Sequence, residues 1–358
     1  MDITKIPQYE LLEHHYVREL ESEGYLMRHK KTGARVFILE NDDNNKVFNI
    51  AFRTVPTDST GVAHIIEHTV LCGSDRYPVK DPFVELAKGS LNTFLNAMTY
   101  SDKTMYPLAS TNDKDFFNLM SVYMDGVFHP NITKERKIFE QEGWHYEMDS
   151  PDGELTYNGV VYNEMKGAFS SADEILGRQV KAALYPDTTY AYESGGDPEF
   201  ITDLTYESYL EFYHTYYHPS NSYIYLYGNM DMEEKLAFLD EHYLSHFDYL
   251  DVDSVIQEQK AFGACQDVTL EYPVAENEGE EDNTYLSYNM VVGNAADSQM
   301  AMAFEVLDYA LLSAPGAPLK QALLDVKAGK DVYGSYDDGI LQPYFTVIAK
   351  GPNPDRKE

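Results

Sequence analysis

The chain has 358 residues, enough for two domains of ordinary size with a substantial core. Acidic residues outnumber basic ones by 60 to 27, and the net charge of −33 opposes binding to nucleic acid or to an anionic membrane. The opening MDITKIPQYELLEHHYVREL has no apolar signal region, and no stretch approaches the length of a membrane span. The two cysteines, Cys72 and Cys265, form no disulfide framework. We therefore expect a cytoplasmic protein with no nucleic-acid and no membrane partner.

The first part of the chain predicts strands followed by a helix that carries two histidines. Over the first 55 residues we expect a short helix and then strands in ARVFILEND and KVFNIAFRT, since an apolar run and a period-two alternation are typical of strands. After PTDSTG the pattern becomes helical in VAHIIEHTVLCGS and ends at Gly73.

Helices and strands alternate along the rest of the chain. The predicted elements are a helix and a strand within 81–100, a helix at Asp113–Phe128, a charged helix or a helix plus turn at 133–147, helices at 160–184 and 205–217, a strand at 222–229, a helix at 231–247, a strand at 283–292, a helix at 298–313 and a strand at 344–351. The pattern of 160–184 breaks near Pro186, and Pro219 ends the helix of 205–217. This alternation favours mixed layers of helices and sheet.

A change in composition over 248–283 indicates a domain boundary near 250–265. DYLDVDSV is followed by the acidic run AENEGEEDN, which we interpret as a surface loop of the second domain. We predict a first domain over 1–260 and a second domain over 261–358. The second domain has few elements to complete its layer, so we expect it to be truncated.

The motif HIIEH at 64–68 has the spacing of a metal site on a helix. His64 and His68 are four residues apart and lie on one helix face, so both imidazoles can reach one ion. Glu67 borders the same face and remains free to act on water. The motif predicts one Zn²⁺ per chain, with Glu67 as general base toward water and then as general acid toward the leaving amine. The alternative is a buried, hydrogen-bonded histidine pair without metal.

Two other histidine pairs in the chain have the same spacing and serve as comparisons. His214 and His218 form one pair, and His242 and His246 form the other. Neither pair has a glutamate at the fourth position of the motif, and core-type aromatic residues surround both. We interpret both pairs as structural.

A catalytic zinc usually has three protein ligands, and the third must come from elsewhere in the chain. Glu164 is the best candidate, because it is a single acidic residue in the nearly uncharged stretch GVVYNEMKGAF, where an unpaired carboxylate would be costly. Alternative third ligands, which lie in more charged runs, are Asp173, Glu174, Glu140 and Glu142.

Cys72 follows His68 by one helical turn. It can be a soft accessory ligand, a redox-sensitive thiol or a small buried residue. We favour the buried residue.

The HxxEH order is typical of inverted zinc peptidases, and the surrounding sequence resembles the pitrilysin/insulinase superfamily, peptidase family M16. The resemblance is strongest to its presequence-protease (falcilysin-like) branch. It is carried by GVAHIIEHTVLCGSDRYPVKDPF, SLNTFLNAMTYSDKTMYPLAS, FEQEGWHYE, GVVYNEMKGAFS, SGGDPE and YYHPSNSYIYLYGN, which lie between about residues 25 and 230. The interval between His68 and Glu164 also agrees with that branch, and the resemblance supports Glu164 as the third ligand.

The resemblance implies an α+β fold of repeated LuxS/MPP-like metallohydrolase domains, each a helix-backed, mostly antiparallel sheet. It implies a zinc endopeptidase that degrades short oligopeptides inside a closed chamber, with this chain as the N-terminal half. The C-terminal half of the same polypeptide would supply an arginine and a tyrosine, so we expect the chain alone to be weakly active. Substrate would lie along the edge strand that carries Asn96, Ala97 and Met98. Exposed, that strand invites an edge-strand dimer. For Asn96 the alternative is a turn or sheet-edge asparagine.

Two other functions stay open at this point. One is a non-catalytic peptide-binding homologue of the same superfamily, although such chains typically lose a site residue. The other is a metal-dependent enzyme of another class, such as a lyase with HxxEH.

Overall fold

The structure, a computed structural model, describes residues 3–274 and 283–351. The chain divides into two compact units: Met1–Ala168 with Tyr192–Val255 form the first, and Phe169–Ala191 with Ile256–Glu358 form the second. The predicted first domain includes 169–191, whereas the structure groups this segment with the second unit. The acidic loop predicted at 275–283 lies, except for its last residue, outside the described residues.

The first unit is built on an eight-stranded, mostly antiparallel sheet. Its strands are β1 (Tyr9–Val17), β2 (Ser22–His29), β3 (Arg35–Glu40), β4 (Lys46–Arg53), β5 (Asn92–Leu95), β6 (Met98–Thr99), β7 (Lys103–Ser110) and β10 (Ser222–Gly228). A separate two-stranded hairpin consists of β8 (His145–Glu147) and β9 (Thr156–Asn158). The strand order is β1-β2-β3-β10-β4-β7-β5, and β6 also pairs with β7. Only the β3–β10 pair is parallel within this sheet.

Helices of both units are numbered together along the chain. They are α1 (Val62–Val70), α2 (Pro82–Gly89), α3 (Asp113–Phe128), α4 (Arg136–Glu142), α5 (Val160–Ala168), α6 (Ala172–Leu184), α7 (Tyr206–Tyr216), α8 (Met232–His242), α9 (Ser298–Asp308) and α10 (Pro318–Asp325). α6, α9 and α10 belong to the second unit. Over the described residues no helix combines the length and the apolar character needed to cross a bilayer.

The core of the first unit lies between its sheet and its helices. In β10 the apolar side chains of Ile224 and Leu226 alternate with less buried tyrosines, as period-two patterning requires. α3 packs on β4 and β7 and buries Phe116, Met120 and Tyr123, which recur at helical spacing. α1 packs against α4, α7 and the edge of the sheet, so the motif at 64–68 lies inside this layer.

The second unit contains a three-stranded antiparallel sheet of β11 (Tyr285–Val291), β12 (Asp331–Asp337) and β13 (Tyr344–Lys350), in the order β11-β13-β12. One of its apolar clusters joins Val180, Tyr185 and Tyr190 to Ile340 and Tyr344. The segment 169–191 therefore supplies core residues to this unit.

The α+β class and the mostly antiparallel, helix-backed sheet agree with the prediction. The helix expected near the N-terminus is wrong, because the chain there forms β1 between short 3₁₀ turns at Ile3–Lys5 and Arg18–Leu20. Pairing with β2 provides the backbone hydrogen bonds of this strand, and local periodicity does not reveal such pairing. The single helix expected over 160–184 is also wrong: it consists of α5 and α6, which belong to different units.

Candidate metal centre

The helix α1 carries His64, Glu67 and His68, and it begins where another loop approaches closely. Gly61, immediately before α1, has a φ of 71°. A β-carbon on Gly61 would lie 2.6 Å from Cα of Gly196 and 2.8 Å from the carbonyl oxygen of Gly195. A glycine is therefore required for the loop with Gly195 and Gly196 to lie against the start of α1.

The ring of the buried His64 is oriented by that loop. Its Nδ1 lies 2.9 Å from the carbonyl oxygen of Gly195. Because a carbonyl oxygen can only accept, Nδ1 donates a proton in this contact, and Nε2 is the nitrogen with the lone pair in the neutral ring. The loop thus fixes the tautomer in which His64 can bind a cation through Nε2.

His68 is oriented in the same way by a carboxylate. Its Nδ1 lies 3.4 Å from Oε2 of Glu142, at the end of α4. The carboxylate accepts, so Nε2 of His68 is again the nitrogen available to a metal. Burial alone would lower the pKa of His68, but the hydrogen bond to Glu142 and the neighbouring carboxylates raise it above its ordinary value.

Glu164 on α5 completes a group of three ligand atoms. Its Oε2 lies 3.9 Å from Nε2 of His64 and 3.8 Å from Nε2 of His68. Within 3–274 and 283–351, these side chains are the one group of three or more His, Cys, Asp or Glu residues whose ligand atoms all lie within 4.8 Å of one another. A tetrahedral zinc with bonds of about 2.1 Å separates its ligand atoms by about 3.4 Å. The donor set and spacing therefore fit zinc after a small closure.

The position of α5 depends on a close backbone contact with the end of α4. A β-carbon on Gly159 would lie 2.1 Å from the carbonyl oxygen of Gly143. Gly143 directly follows Glu142, and Gly159 directly precedes α5. This one approach therefore places both Glu142 and Glu164 relative to α1.

Glu67 is buried on α1 and is not a member of the three-ligand group. Its Oε2 accepts a hydrogen bond of 2.8 Å from the hydroxyl of Thr99, on β6. One carboxylate oxygen is thereby held while the carboxylate stays next to His68 in the chain. The charge of Glu67 helps to raise the pKa of His68, so the carboxylate lies close to this member of the three-ligand group.

The alternative third ligands lie elsewhere. Glu142 contacts Nδ1 of His68 rather than Nε2, and Glu140 pairs with Arg136. Asp173 and Glu174 are on α6, in the second unit.

The comparison histidine pairs have structural environments. Nδ1 of His218 accepts a hydrogen bond from the backbone N–H of Ser220, and burial lowers the pKa of His218. His242 packs on the ring of Phe238. Neither pair contributes to a three-ligand group in the part of the chain that the structure describes.

Cys72 is a half-buried thiol. Its Sγ lies 3.4 Å from the carbonyl oxygen of His68, and burial, reinforced by nearby carboxylates, raises its pKa to about 12. A thiol with so high a pKa stays protonated and is a poor metal ligand.

The strand predicted to bind substrate lies at the edge of the large sheet but is interrupted. Asn96 and Ala97 fall between β5 and β6, and Met98 begins β6. The backbone N–H of Asn96 donates to the carbonyl of Pro107 on β7, so the interruption remains attached to the sheet. β6 contacts α1 and carries Thr99, which places this edge beside Glu67.

Residues 53–191 match the sequence profile described as Insulinase (Peptidase family M16), and residues 203–358 match the one described as Peptidase M16 inactive domain. The chain belongs to peptidase family M16. His64, Glu67, His68 and Glu164 all fall in the first of the two matched ranges.

Relatives in the M16 family are longer than this chain. It is 52% identical over 350 residues to Protein HypA of Clostridium perfringens, covering 98% of this chain and 36% of that protein. It is 45% identical to presequence protease 1, chloroplastic/mitochondrial, of Arabidopsis thaliana (96% and 32% covered) and 38% identical to the mitochondrial presequence protease of Xenopus laevis (96% and 34% covered). The chain thus spans about a third of the length of these curated relatives.

Solved structures of M16 proteins have the same fold. Pitrilysin superposes with a TM-score of 0.65 at 14% identity, over 96% of this chain and 35% of pitrilysin. An M16-like peptidase from Alicyclobacillus acidocaldarius superposes with a TM-score of 0.64 at 18% identity, over 95% of this chain and 77% of that protein. The mixed fold with a mostly antiparallel sheet is therefore that of M16 peptidases.

Three supporting groups are not identified from sequence in these roles: the carbonyl of Gly195, the hydroxyl of Thr99 and the carboxylate of Glu142. Gly195 and Thr99 lie in the segments SGGDPE and NAMTY, which carry the family resemblance. Glu142 is predicted from sequence only as an alternative ligand. The family resemblance therefore marks two of these segments. Which atom each group contacts depends on residues that are distant in the sequence.

Proposed function

We propose that this chain carries the catalytic zinc site of a metalloendopeptidase that degrades short, unstructured peptides. The observation that carries the proposal is the convergence of Nε2 of His64, Nε2 of His68 and Oε2 of Glu164. Both Nδ1 atoms already face oxygen acceptors, so the group is oriented for a cation. Zinc, when bound there, would act as a Lewis acid and lower the pKa of water.

Glu67 supplies the proton transfers in this proposal. Hydrolysis adds water across the amide: the water oxygen bonds to the carbonyl carbon while Glu67 takes one of its protons. The C–N bond then breaks as Glu67 returns that proton to the leaving nitrogen. Thr99 keeps one carboxylate oxygen in place during both transfers.

The peptide is proposed to bind along the sheet edge at Asn96, Ala97 and Met98. An extended peptide next to an edge strand gains main-chain hydrogen bonds without any requirement for a particular sequence. Only an unfolded segment can present such a backbone, which favours unstructured oligopeptides over folded proteins. The hydrogen bond from Thr99 of β6 to Glu67 supports this position for the peptide.

The proposal includes further domains of a longer polypeptide. The curated relatives are about three times as long as this chain, and we propose that additional domains close a chamber around the peptide. Closure excludes water and orients the substrate from a second side. At equal zinc occupancy, the 358-residue chain should therefore hydrolyse an unstructured peptide far more slowly than the longer protein. Equal catalytic efficiency would reject this part of the proposal.

The metal assignment is tested by elemental analysis of purified variants. We expect about one zinc per chain in the parent protein, and loss of zinc in His64→Ala and in Glu164→Ala. His214→Ala is the matched control, because it removes an imidazole from the comparison pair and should leave zinc unchanged. Unchanged zinc in the first two variants would overturn the assignment.

The catalytic assignment is tested by Glu67→Gln in the longer protein. Glutamine keeps the shape of the side chain and removes the base, so zinc should be retained while turnover falls by roughly 10²–10⁴-fold. Near-parental turnover would show that Glu67 is not the base.

A second candidate is a peptide-binding homologue without activity. The match of residues 203–358 to the inactive domain of M16 favours it for that part of the chain. Zinc binding without peptide cleavage in the longer protein would support this candidate over the peptidase.

A further inference from the structure

Three aromatic rings of the β8–β9 hairpin form a continuous surface. Trp144 and Tyr146 are two residues apart and share a face, and Tyr146 lies opposite Tyr157. The ring centroids are 5.6 Å apart for Trp144–Tyr146, 5.9 Å for Trp144–Tyr157 and 5.1 Å for Tyr146–Tyr157. We call Trp144, Tyr146 and Tyr157 the aromatic hairpin.

The aromatic hairpin is exposed but anchored. Tyr146 is 57% and Tyr157 is 42% exposed, and the neighbouring Met148 and Leu155 are exposed as well. Trp144 is part-buried, and its Nε1–H donates to the carbonyl of Leu204 at 3.0 Å. Single exposed apolar residues are ordinary, whereas a contiguous exposed patch marks a binding surface.

The segment that carries the aromatic hairpin is acidic, and Lys166, the first cation that follows it in the sequence, lies over the neighbouring ring of Tyr162. Between Lys137 and Lys166 the sequence contains seven carboxylates and neither lysine nor arginine. Four of the carboxylates are exposed on the hairpin or its loop: Glu147, Asp149, Asp152 and Glu154. Faces of tyrosine and tryptophan rings attract cations, and nearby carboxylates strengthen that attraction. The complementary ligand is therefore cationic and partly apolar.

The aromatic hairpin adjoins the metal centre through α5. Nδ2 of Asn163, next to Glu164, lies 2.6 Å from Oδ1 of Asn158 at the end of β9. Val160 is exposed and precedes Glu164 by four residues, which places it on the same face of α5 at an axial distance of about 6 Å. The hydrogen bond between Asn163 and Asn158 thus connects the hairpin to the helix that carries the third ligand of the metal group.

We propose that the aromatic hairpin is a docking surface for the peptide substrate, and that it selects segments with Arg or Lys beside an apolar residue. The cation lies on the ring faces within reach of the carboxylates, and the apolar side chain packs on Met148 or Leu155. The docked segment is a few residues from the bond that is cleaved. This inference rests on the proposed peptidase function for the nature of its occupant.

Trp144 makes the proposal directly measurable, because it is the only tryptophan of the chain. The Glu67→Gln protein is titrated with an unstructured peptide of about 20 residues that contains Arg-Leu pairs and no Trp or Tyr. Its analogue, with Glu in place of Arg, is titrated in parallel. We expect a saturable change in Trp144 emission with the Arg peptide. The affinity for the analogue should be lower than that for the Arg peptide by a factor of roughly ten or more. Equal affinities, or no change in emission, would overturn the inference.

Charge variants test whether the carboxylates of the hairpin cause the preference for the Arg peptide. The triple variant Asp149→Asn, Asp152→Asn, Glu154→Gln should lower the affinity for the Arg peptide by roughly tenfold. The control Glu207→Gln, Glu211→Gln, Glu241→Gln removes the same charge from α7 and α8 and should leave affinity unchanged. Equal weakening in both would show an effect of net charge and would overturn the docking site. Tyr146→Leu removes a ring while keeping an apolar residue, and it should also lower the affinity for the Arg peptide.

Zinc content and cleavage, measured on the unmutated longer protein, separate this inference from the proposed function. A protein without zinc or cleavage whose Trp144 still responds selectively to the Arg peptide would support the docking surface and reject the peptidase. Zinc-dependent cleavage with no preference between the two peptides would reject the docking surface and retain the peptidase.

Discussion

The hydroxyl of Thr99 donates a hydrogen bond of 2.8 Å to the carboxylate of Glu67. Thr99 lies on the edge strand β6, and Glu67 lies on α1, so this bond connects the proposed peptide-binding edge to the proposed base. A peptide that adds to the edge strand therefore also contacts the element that holds Glu67.

Thr99→Val should lower turnover while leaving zinc content unchanged. Valine keeps the shape of threonine and removes the donor, and loss of a hydrogen bond to a charged group corresponds to roughly a tenfold decrease or more. Thr99→Ser retains the hydroxyl and should restore most of the turnover. If both variants behave alike in steady-state assays, the hydroxyl has no positioning role.

Glu142→Ala should weaken zinc binding although Glu142 is not a ligand. It removes the acceptor of Nδ1 of His68, and loss of such an orienting partner typically costs roughly 10–100-fold in metal affinity. Competition with a chelator measures the change. Glu140→Ala, on the same helix, is the control and should retain parental affinity. Equal affinity of the two variants would contradict the orienting role.

Gly159→Ala should destabilise the first unit. The added β-carbon would lie 2.1 Å from the carbonyl oxygen of Gly143, so α5 must shift, at a cost of roughly 1–3 kcal/mol, and Glu164 moves with it. A β-carbon on Gly167, within α5, would come within 4 Å of no described atom outside its own stretch of helix. Gly167→Ala should therefore be neutral or stabilising by about 0.5–1 kcal/mol. Chemical denaturation and zinc titration test both variants. A neutral Gly159→Ala would show that the contact is not required.

The two thiols should differ in reactivity. Burial raises the pKa of Cys72 to about 12, so its thiol is protonated at about pH 7–8, and only the thiolate reacts readily. Cys265 is exposed. A maleimide should modify Cys265 at least about 100-fold faster than Cys72 in the native protein, and both should react in denaturant. Comparable native rates would contradict the raised pKa of Cys72.

Local signals are sufficient for much of the fold and for the ligand motif. The segment KVFNIAFRT forms β4, and VAHIIEHTV forms α1, because apolar periodicity there agrees with the tertiary structure. The spacing of His64 and His68 gives their shared face without any knowledge of the fold. Glu164 comes from a distant helix and is identified as the third ligand through the family resemblance. Its side chain is 54% exposed, so the predicted cost of an unpaired carboxylate in apolar surroundings does not apply.

Other features depend on contacts that no local window contains. The N-terminal strand β1 is defined by pairing with β2. The break after Ala168 separates two patterns that look continuous, because both halves are good helix formers. Membership of 169–191 in the second unit follows from contacts such as that between the hydroxyl of Tyr185 and the carbonyl of Gln342.

The second unit consists of two segments that are separated in the sequence, and this affects how it folds during synthesis. Tyr185 and its partner Gln342 are 157 residues apart, so α6 leaves the ribosome well before the strands that cover it. At about 5–20 residues per second this delay is roughly 10–30 s. During that time Val180, Tyr185 and Tyr190 lack the partners Ile340 and Tyr344 with which they are buried in the finished protein. The nascent chain therefore exposes an apolar segment shortly after Glu164. We expect a chaperone to bind this segment until the strands of the second unit are made.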